Sequence, residues 1–227
     1  MEVSRNFRPA EGFLEEIRDV CTQRGLVLIF DECTSGFRET LGGLHLKYGV
    51  NPDIAVFGKA LGNGYPITAV IGTQDVMNAA RKTFISSTFW TDRIGPAAAL
   101  KTLEIYERDR VWEQLTATGQ AVIDIWNDIS QKNSVPISIS GLPALASFTF
   151  DTHNQFFRTL LAERMLSSGV LASTSFFSST CHSTKELSYY HDILDSIFSE
   201  ISGLLSDQSL INNYKLTPAV SSFQRLN

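Results

Sequence analysis

The sequence predicts an α/β fold followed by a smaller α+β lobe, and three observations carry this. A helix-periodic segment, Phe13 to Arg24, runs through Gly25 into a continuous apolar stretch, Leu26 to Phe30. Two further short apolar stretches follow, Ile54 to Phe57 and Ile67 to Gly72, each punctuated by glycine or proline. After Arg108-Asp109-Arg110 the pattern changes to helical segments separated by short β-like pieces. Continuous apolar runs of strand length suit strands buried on both faces, as in parallel α/β sheets.

The elements follow in order. Residues 1–12 hold Pro9 and Gly12 and read as a loop. In the next segment Phe13, Leu14, Ile17, Val20 and Cys21 fall at i, i+1, i+4, i+7 and i+8, the spacing of an amphipathic helix. Gly25 is a natural helix stop, so the stretch Leu26 to Phe30 completes one αβ unit. Residues 31–53 are loop-rich, and Pro52 disfavours helix at Asn51. Asp53 to Phe57 reads as a second strand, Gly58 to Pro66 as a loop and Ile67 to Gly72 as a third strand. A short helix over Asp75 to Lys82 has an acidic first turn. Phe84 to Asp92 is β-rich or loop, and Gly95-Pro96 opens a helix that continues from Ala97 to Glu107.

In the second lobe a helix over 111–132 carries Leu115, Val122, Ile125, Trp126 and Ile129. β-like pieces follow at Val135 to Ser140 and Ala144 to Phe150. A helix from Asn154 to Ser168 ends at Gly169 and leads to a strand at Val170 to Ala172. After a Ser/Thr/Phe loop, Ser173 to Thr180, a last helix runs from about Lys185 to Leu205. Residues 206–227 read as a polar, weakly ordered tail. The domain expectation is thus 1–108, 109–205 and the tail.

Composition narrows the function classes. Of the 227 residues 43% are hydrophobic and 19% charged, an ordinary globular balance. A net charge of −5 without any Lys/Arg run argues against nucleic-acid or anionic-membrane partners. The three cysteines form no CxxC pair and read as reduced thiols. The polar start, MEVSRNFRPAEG, is no signal peptide, and no apolar run reaches membrane-span length. The expectation is a cytoplasmic protein.

The chemistry points to two strand ends. Asp31 closes the first apolar run and Lys59 follows the second. The glycines around Lys59 let a ligand or another backbone approach. A lysine in a partly dry site is a nucleophile able to form a Schiff base, and the alternative is a surface loop lysine. Gly58-Lys59 does not fit a phosphate loop, because Ala60 stands where Ser or Thr is needed. Of the acidic pair Asp31-Glu32, one carboxylate can face a site while the other packs, for example in an ion pair with Arg38. The four histidines lack metal-ligand spacing, and Cys33 and Cys181 are read as packing residues. Ser86, Ser87, Thr88 and Thr91 lie near a helix start, where hydroxyls bind phosphate or simply cap the helix.

Two linked stretches, GFLEEIRDVCTQRGLVLIFDECTSGFR and GVNPDIAVFGKALGNGYPITAVIG, resemble the class III pyridoxal-phosphate (PLP) aminotransferases, most closely glutamate-1-semialdehyde aminomutase-like proteins. Lys59 follows Asp31 by 28 residues, as in that family's motif. The resemblance spans about residues 10–205 and implies PLP fold type I: the second half of the large domain plus the C-terminal small α+β domain. It implies that Lys59 is the Schiff-base lysine and proton shuttle, that Asp31 pairs with the pyridine nitrogen, and that Cys33 packs on the ring face. It implies that Thr91, with Thr88 as competitor, reaches the PLP phosphate of a neighbouring subunit. The segment STFWTDRIGP departs there from the family's glycine-rich version and is similar to that of relatives associated with surface polysaccharide synthesis.

Family members are roughly twice this length, so the resemblance implies a C-terminal half. The missing half would carry the main phosphate loop and the aromatic residue that stacks on the ring. Small amino or oxo substrates, and a homodimer or a separate N-terminal-half chain as partner, follow from the same resemblance. The alternatives are a catalytically incompetent fragment or noncatalytic assembly partner, and a PLP racemase or decarboxylase.

Overall fold

A computed structural model describes residues 8–86, 88–89 and 91–219. The chain divides into two compact units, one reaching to Thr116 and one beginning at Ala117.

The first unit opens with helix α1 (Phe13–Arg24). Glu15 and Glu16 in its first turn and Arg24 in its last complement the helix dipole. It stops at Gly25, whose φ of 63° is left-handed. Strand β1 (Ile29–Asp31), the single helical turn α2 (His45–Tyr48), β2 (Ile54–Phe57) and β3 (Ala69–Gly72) follow. Helices α3 (Gln74–Ala80) and α4 (Ile94–Asp109) complete the unit, and α5 (Val111–Asn133) begins in it. The sheet order is β1-β2-β3. β1 pairs parallel to β2 and β3 pairs antiparallel, so the sheet is mixed rather than all-parallel. Its core joins Phe37, Ala55, Phe57, Leu61 and Ala99, with Tyr106 edge-on to Phe37.

Several expectations are corrected. The first strand is shorter than Leu26 to Phe30 and is not buried on both faces. Leu26 is 53%, Val27 51% and Ile29 42% exposed. The ladder starts only at Ile29, opposite Ile54. Just before it the Leu28 amide donates to the Asp53 side chain at 2.7 Å instead of to a strand. Phe13 and Val20 of α1 are also exposed, so Leu14 alone of its predicted apolar stripe is buried. Of the two alternatives for 84–92 the loop holds, since no strand forms among its described residues.

The second unit pairs β4 (Ile137–Ser140) with β5 (Ser147–Phe150) in an antiparallel hairpin. The piece predicted from Ala144 starts late, because Pro143–Leu145 is a 3₁₀ turn. Helices α6 (Asn154–Ser167), α7 (Thr184–Leu205) and α8 (Gln208–Asn213) surround the hairpin core. Ser183 and Glu186 form a capping box at the start of α7. Trp126 sits at the centre, fully buried, 4.9 Å from the Phe148 ring and donating its indole N–H to Tyr190 Oη at 2.9 Å. Burial pushes the Tyr190 phenol up to about 12.

Val170 to Ala172 is not a strand. The Val170 amide turns back to Met165 O at 2.9 Å. The pairing lies further on: Phe148 donates to Thr174 O, while Phe176 and Ser178 donate to Ala146 O and Ala144 O. The tail is also more ordered than expected over its described residues. Beyond α8, Tyr214 donates to Glu200 Oε1 at 2.8 Å, and Arg164 forks onto both Glu200 oxygens at 2.8 Å.

Two outcomes test this packing. Tyr190→Phe strands the buried Trp126 N–H and is expected to destabilise the second unit by about 1–3 kcal/mol in urea melts followed by tryptophan fluorescence. In the first unit, Asp53 accepts from the Leu28 amide and from Arg18 Nη1 at 2.8 Å. The Leu28 amide first, and Arg18 second, hold its carboxyl below the usual aspartate range. A depressed carboxyl stabilises the fold fully above its unfolded value and loses that contribution as pH falls through the folded value. Stability measured from neutrality downward should therefore drop below about pH 4, and Asp53→Asn should remove this part of the drop.

Candidate active site

Because β1 and β2 run parallel with Asp31 opposite Val56, both strands end at the same end of the sheet. That brings Asp31 and the Lys59 segment to one side of the unit. Among the described interactions the two are not an ion pair.

Successive side chains of a strand point to opposite faces, and the acidic pair divides accordingly. Asp31 is exposed, and its Oδ1 accepts the Cys33 amide at 3.0 Å. Glu32 is fully buried. It accepts from Ser35 Oγ at 2.5 Å and from the Leu44 and His45 amides at 2.9 Å each, while His45 Nδ1 faces Oε1 at 2.9 Å. This corrects the expected partner Arg38. The Arg38 Nε instead donates to Thr34 O at 3.3 Å, and burial lowers its guanidinium from the usual value.

Lys59 opens a 3₁₀ turn, Lys59–Leu61, with φ 42°, a left-handed conformation uncommon for a side-chain-bearing residue. Its Nζ donates to Thr34 Oγ1 at 2.6 Å. The lysine lines an open cleft of about 750 Å³ together with Gly64, Tyr65, Pro66, Ile67 and Thr68. The turn behind it requires glycine at 62, since a Cβ there would lie 2.1 Å from Tyr65 O. Cys33 Sγ would lie 3.4 Å from a Cβ at Gly58, and Thr68 Cγ2 3.5 Å, so the Cys33 side chain borders the same loop.

The hydroxyl group of candidates is different. Thr91 and Thr88 are exposed in the turn before α4, as is Ser86, and none of the three caps that helix. The Ile94 amide is taken by Asp92 Oδ1 at 3.0 Å instead. Ser87 lies outside the described residues. Among the described residues no group of three or more His, Cys, Asp or Glu is placed to hold a metal ion. Among the same residues no helix is long and apolar enough to cross a membrane.

Two residues escaped the sequence reading. Thr34 had no charge to signal it, though it lies three positions past Asp31 in the same motif. His45 has no metal-ligand spacing in the sequence, and only the fold brings it to Glu32.

This architecture is that of the PLP-dependent transaminases of fold type I. The FumI protein of Sphingopyxis sp. MTA144, solved in its PLP internal aldimine form, superposes with a TM-score of 0.83 at 26% identity, covering 95% of this chain and 51% of that one. An omega-transaminase from Sphaerobacter thermophilus superposes with a TM-score of 0.74 at 23% identity over 87% of this chain and 50% of that one. More narrowly, the chain belongs to the aminotransferase class-III family, whose model matches residues 6–205. A curated relative, the 3-aminobutyryl-CoA aminotransferase of Cloacimonas acidaminovorans (strain Evry), is 41% identical over 143 residues, which are 63% of this chain and 34% of that protein. The chain thus spans about half the length of the solved relatives and matches about a third of the curated one.

The two neighbouring carboxylates should separate cleanly on substitution. Glu32→Gln places an amide N–H₂ among existing donors and is expected to destabilise the first unit by about 3 kcal/mol or more. Asp31→Asn keeps the Oδ1 acceptor at an exposed site and should change stability by no more than about 0.5 kcal/mol. Thermal or urea melts of the two variants read the difference.

Proposed function

We propose that this chain provides the lysine-bearing part of a PLP-dependent amino-transfer site, working as an aminotransferase or aminomutase. The observation that carries the reading is Lys59, held in a left-handed conformation at the lip of an open cleft at the end of the sheet where Asp31 also lies. Membership of the aminotransferase class-III family supports it, as does the likeness to FumI in its PLP-bound form. In this reading residues 1–108 are the C-terminal part of the large domain, 109–205 the small domain and 206–227 a tail.

The residues present fit the cofactor. Lys59 offers a primary amine to an aldehyde, Asp31 an exposed carboxylate to a ring nitrogen, and Cys33 a small side chain beside the same loop. Thr91 would contact the phosphate of a neighbouring copy. PLP, when bound, supplies an electron sink for the carbanion at the substrate carbon. The chain's own contribution is positional and protonic. Lys59 Nζ would hold the cofactor and carry a proton to and from the substrate carbon. Asp31 would offer its carboxylate to the ring nitrogen and favour its protonated form. Glu32 keeps the turn between them in place through its buried hydrogen bonds. Small amino and oxo compounds are the substrate class.

A second reading draws on the half-length match to FumI and on the exposed apolar residues Leu26, Val27 and Ile29 at the β1 edge. In it the chain assembles with another polypeptide, either a second copy or one carrying the other half of the fold, and has no catalysis of its own.

The test is reduction with borohydride after addition of PLP, followed by peptide mapping, with any complementing N-terminal half present. Label is expected on Lys59, and Lys59→Ala should lose it together with amino transfer by at least roughly 10²–10⁴-fold. Label confined to other lysines would contradict the assignment.

A further inference from the structure

We propose that Thr34 is a positioning residue that holds the Lys59 amine at the cleft. This rests on the reading of Lys59 given above and deepens it. Three observations carry it. The Lys59 Nζ donates to Thr34 Oγ1 at 2.6 Å, a short contact. Thr34 is itself buried, at 9% exposure, so its hydroxyl is fixed by packing rather than free in solvent. The backbone on both sides of it is pinned.

That pinning has identifiable parts. The carbonyl of Thr34 accepts from the Nε of half-buried Arg38. Its neighbour Ser35 is tied through Oγ to the Glu32 carboxylate. The Gly36 amide closes the turn onto Glu32 O at 2.8 Å, and a Cβ at Gly36 would lie 2.7 Å from that same oxygen. The hydroxyl is therefore presented from a rigid turn to a flexible four-carbon amine. A lysine side chain loses much rotamer freedom when its head is held, and a fixed acceptor supplies the compensating bond. Lys59 gains one defined location beside Pro66, Ile67 and Thr68 rather than a spread of solvated ones.

The test reads the amine directly, so that it does not depend on catalysis. The full chain is pulsed with formaldehyde and cyanoborohydride, and methylation of Lys59 is compared by peptide mass spectrometry with that of Lys101, an exposed lysine of α4. Thr34→Val and Thr34→Ala both remove the oxygen. Each should raise the Lys59-to-Lys101 ratio by roughly three- to tenfold, the weight of one hydrogen bond, while Thr34→Ser retains the oxygen and follows the unsubstituted chain. In parallel, the rate at which PLP becomes reductively attached to Lys59 should fall by a similar factor in Thr34→Val and recover in Thr34→Ser. A methylation ratio unchanged in both Val and Ala variants overturns the proposal, as does a Ser variant that behaves like Val. If PLP never attaches to Lys59 while the methylation ratios change as stated, the hold by Thr34 stands and the cofactor reading fails.

Discussion

The buried carboxylate of Glu32 is the constraint on which the site at the end of the sheet depends. A fully buried anion is costly unless its oxygens are satisfied, and here the loop after β1 folds back to satisfy them. Ser35, the Leu44 and His45 amides and the His45 ring converge on two oxygens. Residues 33–45 are thereby tied to the end of a strand although α2 begins only at His45. A loop-rich segment thus acquires the fixed geometry that its weak secondary structure does not supply.

The consequences run outward from that anchor. Asp31, the last residue of β1 and the neighbour of Glu32, faces the other way, which leaves its carboxylate in the open at the end of the sheet. Thr34 is carried to Lys59, which arrives from the adjacent parallel strand. Lys59 itself accepts a left-handed backbone, a local cost of about 1–2 kcal/mol that the surrounding turn offsets. The loop after β1 therefore meets Lys59 through Thr34, and among the described interactions Asp31 and Lys59 form no ion pair.

Much of this was legible in the sequence, and the failures have physical causes. The helix periodicity placed α1 at its observed bounds, Phe13 to Arg24, since Gly25 ends it locally. Two apolar runs, one ending at Asp31 and one followed by Lys59, single out the pair, and the resemblance gives the two residues their expected roles. What periodicity could not see was pairing. It predicted β1 from Leu26, but ladder register with Ile54 delays the start to Ile29. It placed a strand at Val170 to Ala172, where the helix end captures the backbone, and missed the pairing four residues on, at Thr174 to Ser178. It reads 206–227 as a weakly ordered tail, and over the described part, to 219, misses the Arg164–Glu200–Tyr214 cluster because it joins residues far apart in sequence. The same limit hid His45 from Glu32 and Thr34 from Lys59, contacts across 13 and 25 positions.

If one end of the sheet holds PLP between Lys59 and Asp31, a crystal structure grown with PLP, together with any complementing half, will contain electron density continuous from Lys59 Nζ to the cofactor, with the Asp31 carboxylate within hydrogen-bond distance of the ring nitrogen. Cofactor bound elsewhere, with Lys59 Nζ still on Thr34, would contradict that placement.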